Sequence, residues 1–171
     1  KEYLYNIDYG SSMGHIKVPL EEIKEDYINW LDKNGLEIKL AEAFYCAPGA
    51  SIPVHSDETD PSESCKMNWA YSEGNTPIDW YSVTPGIELE YRNNSIGGYY
   101  LTCDPENYHL AASSLIGQPS LVQISELHGV NNTTEYPWYC LCIVLKEKNS
   151  SNHRIGFKHA SEILKKYAKN R

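Results

Sequence analysis

The sequence predicts a mostly β fold, a sandwich or jelly roll with a helix near each end of the chain. Fourteen tyrosines and four tryptophans gather with β-branched residues in short runs between Pro and Gly turn signals, which is the pattern of a β core. Only two segments have the apolar spacing of an amphipathic helix. An immunoglobulin-type sandwich is the alternative architecture.

A helix is predicted near the start of the chain, over residues 20–33 with the sequence LEEIKEDYINWLDK. Pro19 before this segment and an Asn-Gly pair after it mark its two ends. A second helix is predicted near the C-terminal end, over residues 157–170. The apolar residues of each segment fall on one face at helical spacing: Leu20, Ile23, Tyr27 and Leu31 in the first, and Phe157, Ala160, Ile163, Leu164 and Tyr167 in the second.

Between the two helices the sequence predicts seven or eight strands. The segments GIELEY and GGYYLT are predicted to form a hairpin around Arg92 and the two asparagines that follow it. Short strands at irregular intervals, separated by Pro and Gly, are typical of a sandwich or jelly roll. The predicted strands outside the hairpin cover residues 36–47, 51–57, 65–71, 120–127 and 137–147.

Length and charge limit the number of domains and the classes of binding partner. A chain of 171 residues is enough for one domain with a sizeable core and marginal for two, so we expect a single domain over residues 1–171. Fifteen basic against twenty-three acidic residues give a formal net charge of −8, which argues against nucleic acid or an anionic membrane as a partner. No run approaches the roughly 18 apolar residues that a membrane span needs.

The cysteines indicate a reducing compartment. Their number is five, which is odd, and no pair has the CxxC spacing. We therefore expect reduced thiols and a cytoplasmic location rather than a disulfide framework. Cys140 and Cys142 lie in the segment WYCLCIVL, where free cysteines are predicted to act as small apolar residues of a buried strand.

The segment IPVHSDET carries the first candidate functional residues. His55 and Asp57 are two apart in a predicted strand, so their side chains project from the same face. His128 follows the strand-like run SLVQISEL and lies 73 residues further along the chain. In a jelly roll early and late strands lie side by side, which can close such a gap. Two histidines and one carboxylate on one face are the ligand set of non-haem Fe(II) oxygenases.

These residues and their flanks resemble the 2-oxoglutarate/Fe(II) dioxygenase superfamily. The HSD triplet, KMNWAY, the WY pair at 80–81 and HGVNN before a Pro-started strand are most similar to small prolyl- and aspartyl-hydroxylase-like members, including phage-encoded ones. The likeness covers roughly residues 40–146. It implies a double-stranded β-helix, which is a jelly roll, with flanking helices, and it implies Fe(II) held by His55, Asp57 and His128.

The same resemblance assigns two cosubstrate-binding positions in this sequence. At a third position the residue differs from the one that the family usually carries. Asn68 matches the strand asparagine that can hydrogen-bond 2-oxoglutarate, and Tyr45 matches an aromatic residue that faces it. About ten residues beyond the distal histidine, the family usually carries an arginine that binds the distal carboxylate of 2-oxoglutarate bidentately. This sequence has Trp138 at that position, and tryptophan offers one N–H donor and no charge.

Another cation is therefore needed if 2-oxoglutarate is to bind. Lys66 shares a predicted strand face with Asn68 and is the strongest candidate. Arg92, Lys39 and Lys146 are weaker, because each is predicted at a loop or a strand end. Two functions follow: an oxygenase that hydroxylates a C–H bond of a peptide, an amino acid or a small molecule, or a degenerate jelly-roll binding module that keeps the metal or only the fold and lacks 2-oxoglutarate turnover.

The remaining aromatic residues and histidines receive structural interpretations. Trp69, Trp80 and Tyr81 are predicted to be core residues, with a rim around a substrate mouth as the alternative. Four histidines have no partner at metal-ligand spacing and are predicted to lie on the surface: His15, His109, His153 and His159.

Overall fold

The computed structural model describes residues 12–57, 65–93, 99–150 and 154–168. Within these ranges it contains eleven strands and two α-helices. The strands are β1 (Met13–Lys17), β2 (Leu36–Cys46), β3 (Ser51–His55), β4 (Cys65–Tyr71), β5 (Ile78–Val83), β6 (Glu90–Asn93), β7 (Tyr99–Thr102), β8 (Tyr108–Ser114), β9 (Ser120–Gln123), β10 (Leu127–Asn131) and β11 (Trp138–Glu147). The helices are α1 (Glu25–Lys33) and α2 (Phe157–Leu164).

The strands form two antiparallel sheets with the topology of a double-stranded β-helix. One sheet has the order β1-β2-β11-β4-β9, and the other has the order β3-β10-β5-β8. Apart from the β6–β7 hairpin, the chain changes sheet at nearly every connection between β2 and β11. An immunoglobulin-type sandwich keeps the consecutive pairs A–B, D–E and F–G in one sheet each, so this alternation excludes it. The predicted jelly roll is confirmed.

Strands from the early and the late part of the chain lie side by side. β2 pairs with β11 along its whole length, and β3 pairs with β10. An extra residue in β3 bulges the ladder between Ile52 and His55, where the register with β10 shifts. Pro53 lies in this bulge, and a proline fits there because it has no N–H to give to a ladder.

The first helix is shorter than predicted. Residues Leu20–Glu22 form a single 3₁₀ turn, Lys24 is extended, and α1 begins at Glu25. The start at Glu25 places the acidic Glu25 and Asp26 in the first turn, where the positive end of the helix dipole favours them. α2 ends at Leu164 and is followed by a 3₁₀ turn at Lys165–Tyr167. Residues 169–170 of the predicted second helix lie outside the described residues.

Two apolar clusters lie on opposite faces of the five-stranded sheet. The outer cluster is formed by the sheet and the two helices, and the inner cluster lies between the two sheets. Fully or nearly fully buried members of the outer cluster include Leu31, Leu36, Ile143, Leu145 and Ala160. Those of the inner cluster include Cys46, Ile78, Ile124, Val130, Trp138, Cys140 and Cys142.

The five cysteines are all buried and are not joined by disulfides. The thiol of Cys142 donates to the sulfur of Cys140 at an Sγ–Sγ distance of 3.5 Å. Among the described helices, none has the length and apolarity that a membrane crossing requires.

Candidate metal centre

The end of β3 aims two of the predicted ligands into the space between the sheets. Ser56 is buried, and its hydroxyl donates to the carbonyls of Ile124 and Ser125 at 3.3 and 3.1 Å. Because successive residues of an extended chain point to opposite sides, this anchoring turns His55 and Asp57 to the other side together.

The third predicted ligand lies directly across the ladder. His128 of β10 is the register partner of His55, and their ring centroids are 4.6 Å apart. Gly129 follows it, and a Cβ at that position would lie 3.1 Å from the Ile52 carbonyl oxygen and 3.3 Å from Val54 Cα. The glycine thus allows β10 to approach the bulged part of β3 closely. The pairing of these two strands closes the 73-residue gap in the sequence.

The three side chains form a compact group of potential metal ligands. His55 Nε2 lies 3.4 Å from Asp57 Oδ1, and His128 Nε2 lies 3.8 Å from Asp57 Oδ2. One ligand atom from each residue falls within 4.8 Å of the others. Of the described residues, only these three form such a group of His, Cys, Asp and Glu side chains. Two imidazoles and one carboxylate suit a divalent first-row metal, and this facial set is typical of non-haem Fe(II).

The protein fixes the tautomer of both histidines. His55 Nδ1 is 2.7 Å from the Pro53 carbonyl oxygen, and His128 Nδ1 is 2.9 Å from the Glu126 carbonyl oxygen. A carbonyl oxygen only accepts, so each Nδ1 carries the proton and donates it. Both Nε2 atoms therefore present lone pairs toward Asp57. Such backbone contacts orient metal-binding histidines in proteins.

Burial keeps the imidazole of His128 neutral. Desolvation, with the nearby His55, lowers the pKa of His128 to about 4. Burial by itself would raise the pKa of Asp57, but the adjacent ammonium of Lys66 outweighs it and, with the neighbouring histidines, holds that pKa well below its usual range. At neutral pH the site contains a carboxylate and a neutral imidazole at His128, which are the protonation states that bind metals.

Lys66 is a direct partner of the candidate metal ligands. This lysine of β4 is only 6 % exposed, and its Nζ donates to Asp57 Oδ2 at 2.9 Å. Burial would lower the pKa of Lys66, but the charge of Asp57 and further contacts raise it. The ammonium engages one carboxylate oxygen and leaves Oδ1, which faces His55, for a metal. Lys66 thus orients the carboxylate through Oδ2, the oxygen that also lies 3.8 Å from His128 Nε2.

The group opens into a cavity of about 350 Å³ between the two sheets. Its metal end contains His55, Asp57, His128 and Lys66. Its far end is apolar and is part of the inner cluster. The cavity is lined there and along its walls by Met13, Phe44, Ile52, Pro53, Asn68, Ile78, Asn93, Tyr100, Gly129, Val130, Trp138, Cys140 and Cys142.

Two polar atoms in the cavity wall have no hydrogen-bond partner. They are Asn68 Oδ1 and Trp138 Nε1, and their side chains are 5 % and 3 % exposed. Buried polar atoms without partners are rare in folded proteins and call for an explanation. Both side chains were predicted to contact a cosubstrate, and both line the cavity.

The structure does not bring Tyr45, which was predicted to face a cosubstrate, into the cavity lining. Phe44 lines the cavity instead. Neighbouring residues of a strand point to opposite faces, and Tyr45 of β2 is buried on the other face against Tyr139, with ring centroids 5.5 Å apart. The one-residue difference depends on the register of β2 with β11.

The three weaker cation candidates lie outside the cavity lining. Arg92 of β6 pairs with Glu90 and with Asp104. Lys146 pairs with Glu37 at an Nζ–Oε2 distance of 2.8 Å. Lys39 is exposed at an irregularity of β2, where the register with β11 shifts. None of them is a substitute for the arginine that the resemblance leads one to expect.

The predicted core aromatics have different surroundings. Trp80 packs against the inner cluster, and Tyr81 is half-buried against Tyr108. Trp69 is 43 % exposed on the outer face of β4, so it is neither a core residue nor a rim of the metal cavity.

Of the predicted surface histidines, His109 and His159 are exposed. His15 is exposed as well, and its ring stacks on Phe44. His153 lies outside the described residues.

Tyr100 is the main cavity residue that sequence reasoning missed. It lies on β7, and its ring meets the His55 ring edge-on, with centroids 6.1 Å apart. The β6–β7 hairpin was predicted and is confirmed. A bridge between Ser56 and Leu101 attaches the hairpin to the end of β3. That attachment is a tertiary contact, and the segment GGYYLT carries no signal for it.

Comparisons with known proteins add similarities of fold at low identity. No protein-family model matches the chain, and no curated protein matches its sequence. A recombinant oxalate oxidase in complex with glycolate is 10 % identical, with a TM-score of 0.42 over 83 % of this chain. This chain spans 55 % of the length of that oxidase.

Two further solved structures show similarity at the same level. EvdO2 from Micromonospora carbonacea var. aurantiaca, complexed with 2-oxoglutarate, is 16 % identical, with a TM-score of 0.42 over 81 % of this chain and 70 % of EvdO2. An uncharacterized conserved protein with a double-stranded β-helix domain from Klebsiella pneumoniae is 12 % identical, with a TM-score of 0.32 over 71 % of this chain and 76 % of that protein.

Proposed function

We propose that this protein is a mononuclear non-haem Fe(II) oxygenase that uses a 2-oxo acid and O₂ to hydroxylate a C–H bond of a peptide, an amino acid or a small molecule. The observation that carries the proposal is the convergence of His55, Asp57 and His128 at the end of a cavity, with the Nε2 atoms of both histidines 3.4 and 3.8 Å from the carboxylate oxygens. A carboxylate and two neutral imidazoles are the donors that this class of iron site uses.

The overall reaction balances with four electrons for one O₂. The 2-oxo acid loses CO₂ and becomes a carboxylic acid that is one carbon shorter, which supplies two electrons. The C–H bond of the substrate becomes C–OH, which supplies the other two. One oxygen atom enters the new carboxylate and the other enters the hydroxyl group. Bound Fe(II) supplies the one-electron chemistry that lets O₂ react with these closed-shell partners.

The residues of this chain have three roles in the proposal. His55, Asp57 and His128 hold the metal on one side and leave the cavity side open for the 2-oxo acid and O₂. Lys66 keeps Asp57 ionised and oriented through its 2.9 Å contact. The apolar walls exclude water from the reacting groups, which protects them from side reactions.

Anaerobic Fe(II) titration followed by oxygen-uptake measurements tests the proposal. We expect one Fe(II) per chain, and O₂ uptake that requires both the metal and a 2-oxo acid. A panel of 2-oxo acids that includes 2-oxoglutarate gives the cosubstrate. Asp57→Ala should lose Fe(II) binding. Failure of the wild-type protein to bind Fe(II) would contradict the proposal. Equal Fe(II) affinity of the wild type and Asp57→Ala would contradict it as well.

The second candidate is a jelly-roll binding module that keeps the metal and does not turn over a 2-oxo acid. Trp138 favours it, because the tryptophan stands where the family's arginine is expected. Metal binding without metal-dependent O₂ uptake for any 2-oxo acid of the panel would decide for this second function.

A further inference from the structure

We propose that the 2-oxo acid of this site has a single carboxylate and an apolar side chain, and is not 2-oxoglutarate. The inference rests on the oxygenase function proposed above and concerns which member of the 2-oxo acid class the cavity selects. It is carried by the distribution of charge between the two ends of the cavity.

The positive charge of the cavity lies entirely at its metal end. Lys66 is the one Lys or Arg among the described residues that line the cavity. Its ammonium is held at 2.9 Å by Asp57 and is therefore committed to the neighbourhood of the metal. Besides Asp57, the ammonium has the Phe44 ring as a neighbour, with Nζ 5.7 Å from the ring centroid.

The far end offers no ionic partner for a second carboxylate. The described side chains there are Ile52, Ile78, Val130 and Trp138. Trp138 Nε1 is an unpaired donor, but one neutral N–H cannot balance a charge. A carboxylate placed against this wall would lose its hydration and gain no cation. An alkyl or aromatic side chain would instead extend the inner apolar cluster.

The cavity of about 350 Å³ is near the lower end of the range for ligand pockets, so the acid is small.

A matched pair of ligands tests this inference without any mutation. 4-Methyl-2-oxopentanoate and 2-oxoglutarate have the same 2-oxo acid head and side chains of similar length, one branched and apolar and one ending in a carboxylate. Calorimetry on protein loaded with Mn(II) or anaerobic Fe(II) measures binding directly, independent of turnover. We expect the apolar acid to bind roughly tenfold or more tightly than 2-oxoglutarate, since one buried contact with an ion is worth about that factor.

Variants at Trp138 test whether this residue sets the preference between the two acids. Trp138→Arg should reverse the preference by giving the far end a bidentate partner for a carboxylate, and Trp138→Phe, the matched control, should keep the wild-type preference. Metal titration and circular dichroism of each variant establish that it is folded. If Trp138→Arg does not fold, the wild-type ligand comparison still decides.

The outcomes separate this inference from the function on which it rests. Failure of the wild-type protein to bind a metal would overturn the proposed oxygenase. Metal binding combined with equal or tighter binding of 2-oxoglutarate would overturn only the ligand assignment. Metal binding with no binding of either acid would also overturn the ligand assignment.

Discussion

The two ends of one cavity, built by the same pair of sheets, differ in almost every physical property. At the metal end, four ionisable side chains make contacts of 2.9 to 3.8 Å. At the far end, Ile78, Val130 and Trp138 are buried among apolar neighbours, and the Trp138 N–H has no partner. The ionisable residues are concentrated where strand ends meet, whereas Trp138, at the position where the resemblance leads one to expect an arginine, belongs to the apolar core.

The backbone contributes to this difference as much as the side chains. β3 is bulged at the metal end, and its Pro53 carbonyl accepts the Nδ1–H of His55. β11 runs regularly past the far end and pairs with β2 on one side and β4 on the other. A central strand with two partners has its face fixed by register. Replacing the residue at 138 therefore changes the chemistry of the wall without moving the ligands.

The largest expected effect is the loss of metal binding when a ligand at the metal end is removed. His128→Ala should weaken binding of Fe(II) or Mn(II) by more than about a hundredfold, since even the outer contacts of metal ligands are worth ten- to a hundredfold. Calorimetric titration measures the affinity. His109→Ala, at an exposed histidine of β8, is the control and should bind as the wild type does. Equal affinities for the two variants would remove His128 from the site.

Lys66→Met should destabilise the metal-free protein by about 3–5 kcal/mol, because it leaves the carboxylate of Asp57 without its cation. Bound metal replaces the missing charge, so the loss should be smaller in the loaded protein. Urea unfolding with and without Mn(II) measures both values. An identical loss of stability in the two states would mean that Lys66 and the metal do not share Asp57.

The unfolding free energy of the metal-free protein should fall as the pH drops from about 6.5 toward 4. The pKa of His128 is about 4 in the folded protein and near 6.5 in an unfolded chain. The unfolded state therefore binds the proton first, and folding loses up to about 3 kcal/mol across this window. Below pH 4 this contribution no longer changes. Urea unfolding of the wild type and of His128→Asn, at a series of pH values, measures it. A curve that is as steep in the variant as in the wild type would assign the slope to other groups.

The smallest effect is expected at the far end. Trp138→Phe keeps an aromatic residue in the inner cluster and removes a buried N–H that has no partner. The loss of packing contacts destabilises the fold, and the removal of an unpaired polar group stabilises it. The free energy of unfolding should therefore change by less than about 1.5 kcal/mol. Metal affinity should stay as in the wild type. A loss of several kcal/mol would show that the indole N–H has a partner in the folded protein.

The sequence by itself determined the class of fold and the identity of the ligands brought together. Short aromatic and β-branched runs between turn residues predict strands wherever they occur, because this pattern depends only on local geometry. His55 and Asp57 share a face because side chains alternate with a period of two. No local pattern spans the 73 residues to His128, which was reached from its place after a strand-like run and from the expectation that early and late strands of a jelly roll lie side by side.

Only the tertiary structure decided which face of β2 lines the cavity and which charged groups are in contact there. Phe44 rather than Tyr45 lines the cavity because the pairing of β2 with β11 sets its inward face, and a shift of one residue exchanges the two. Lys66 was predicted at the cosubstrate carboxylate, but its ammonium bonds Asp57. Tyr100 reaches His55 through a hairpin attached by one bridge. A burial pattern indicates that a residue points inward, but the partner it meets there depends on strand pairings between residues far apart in the chain.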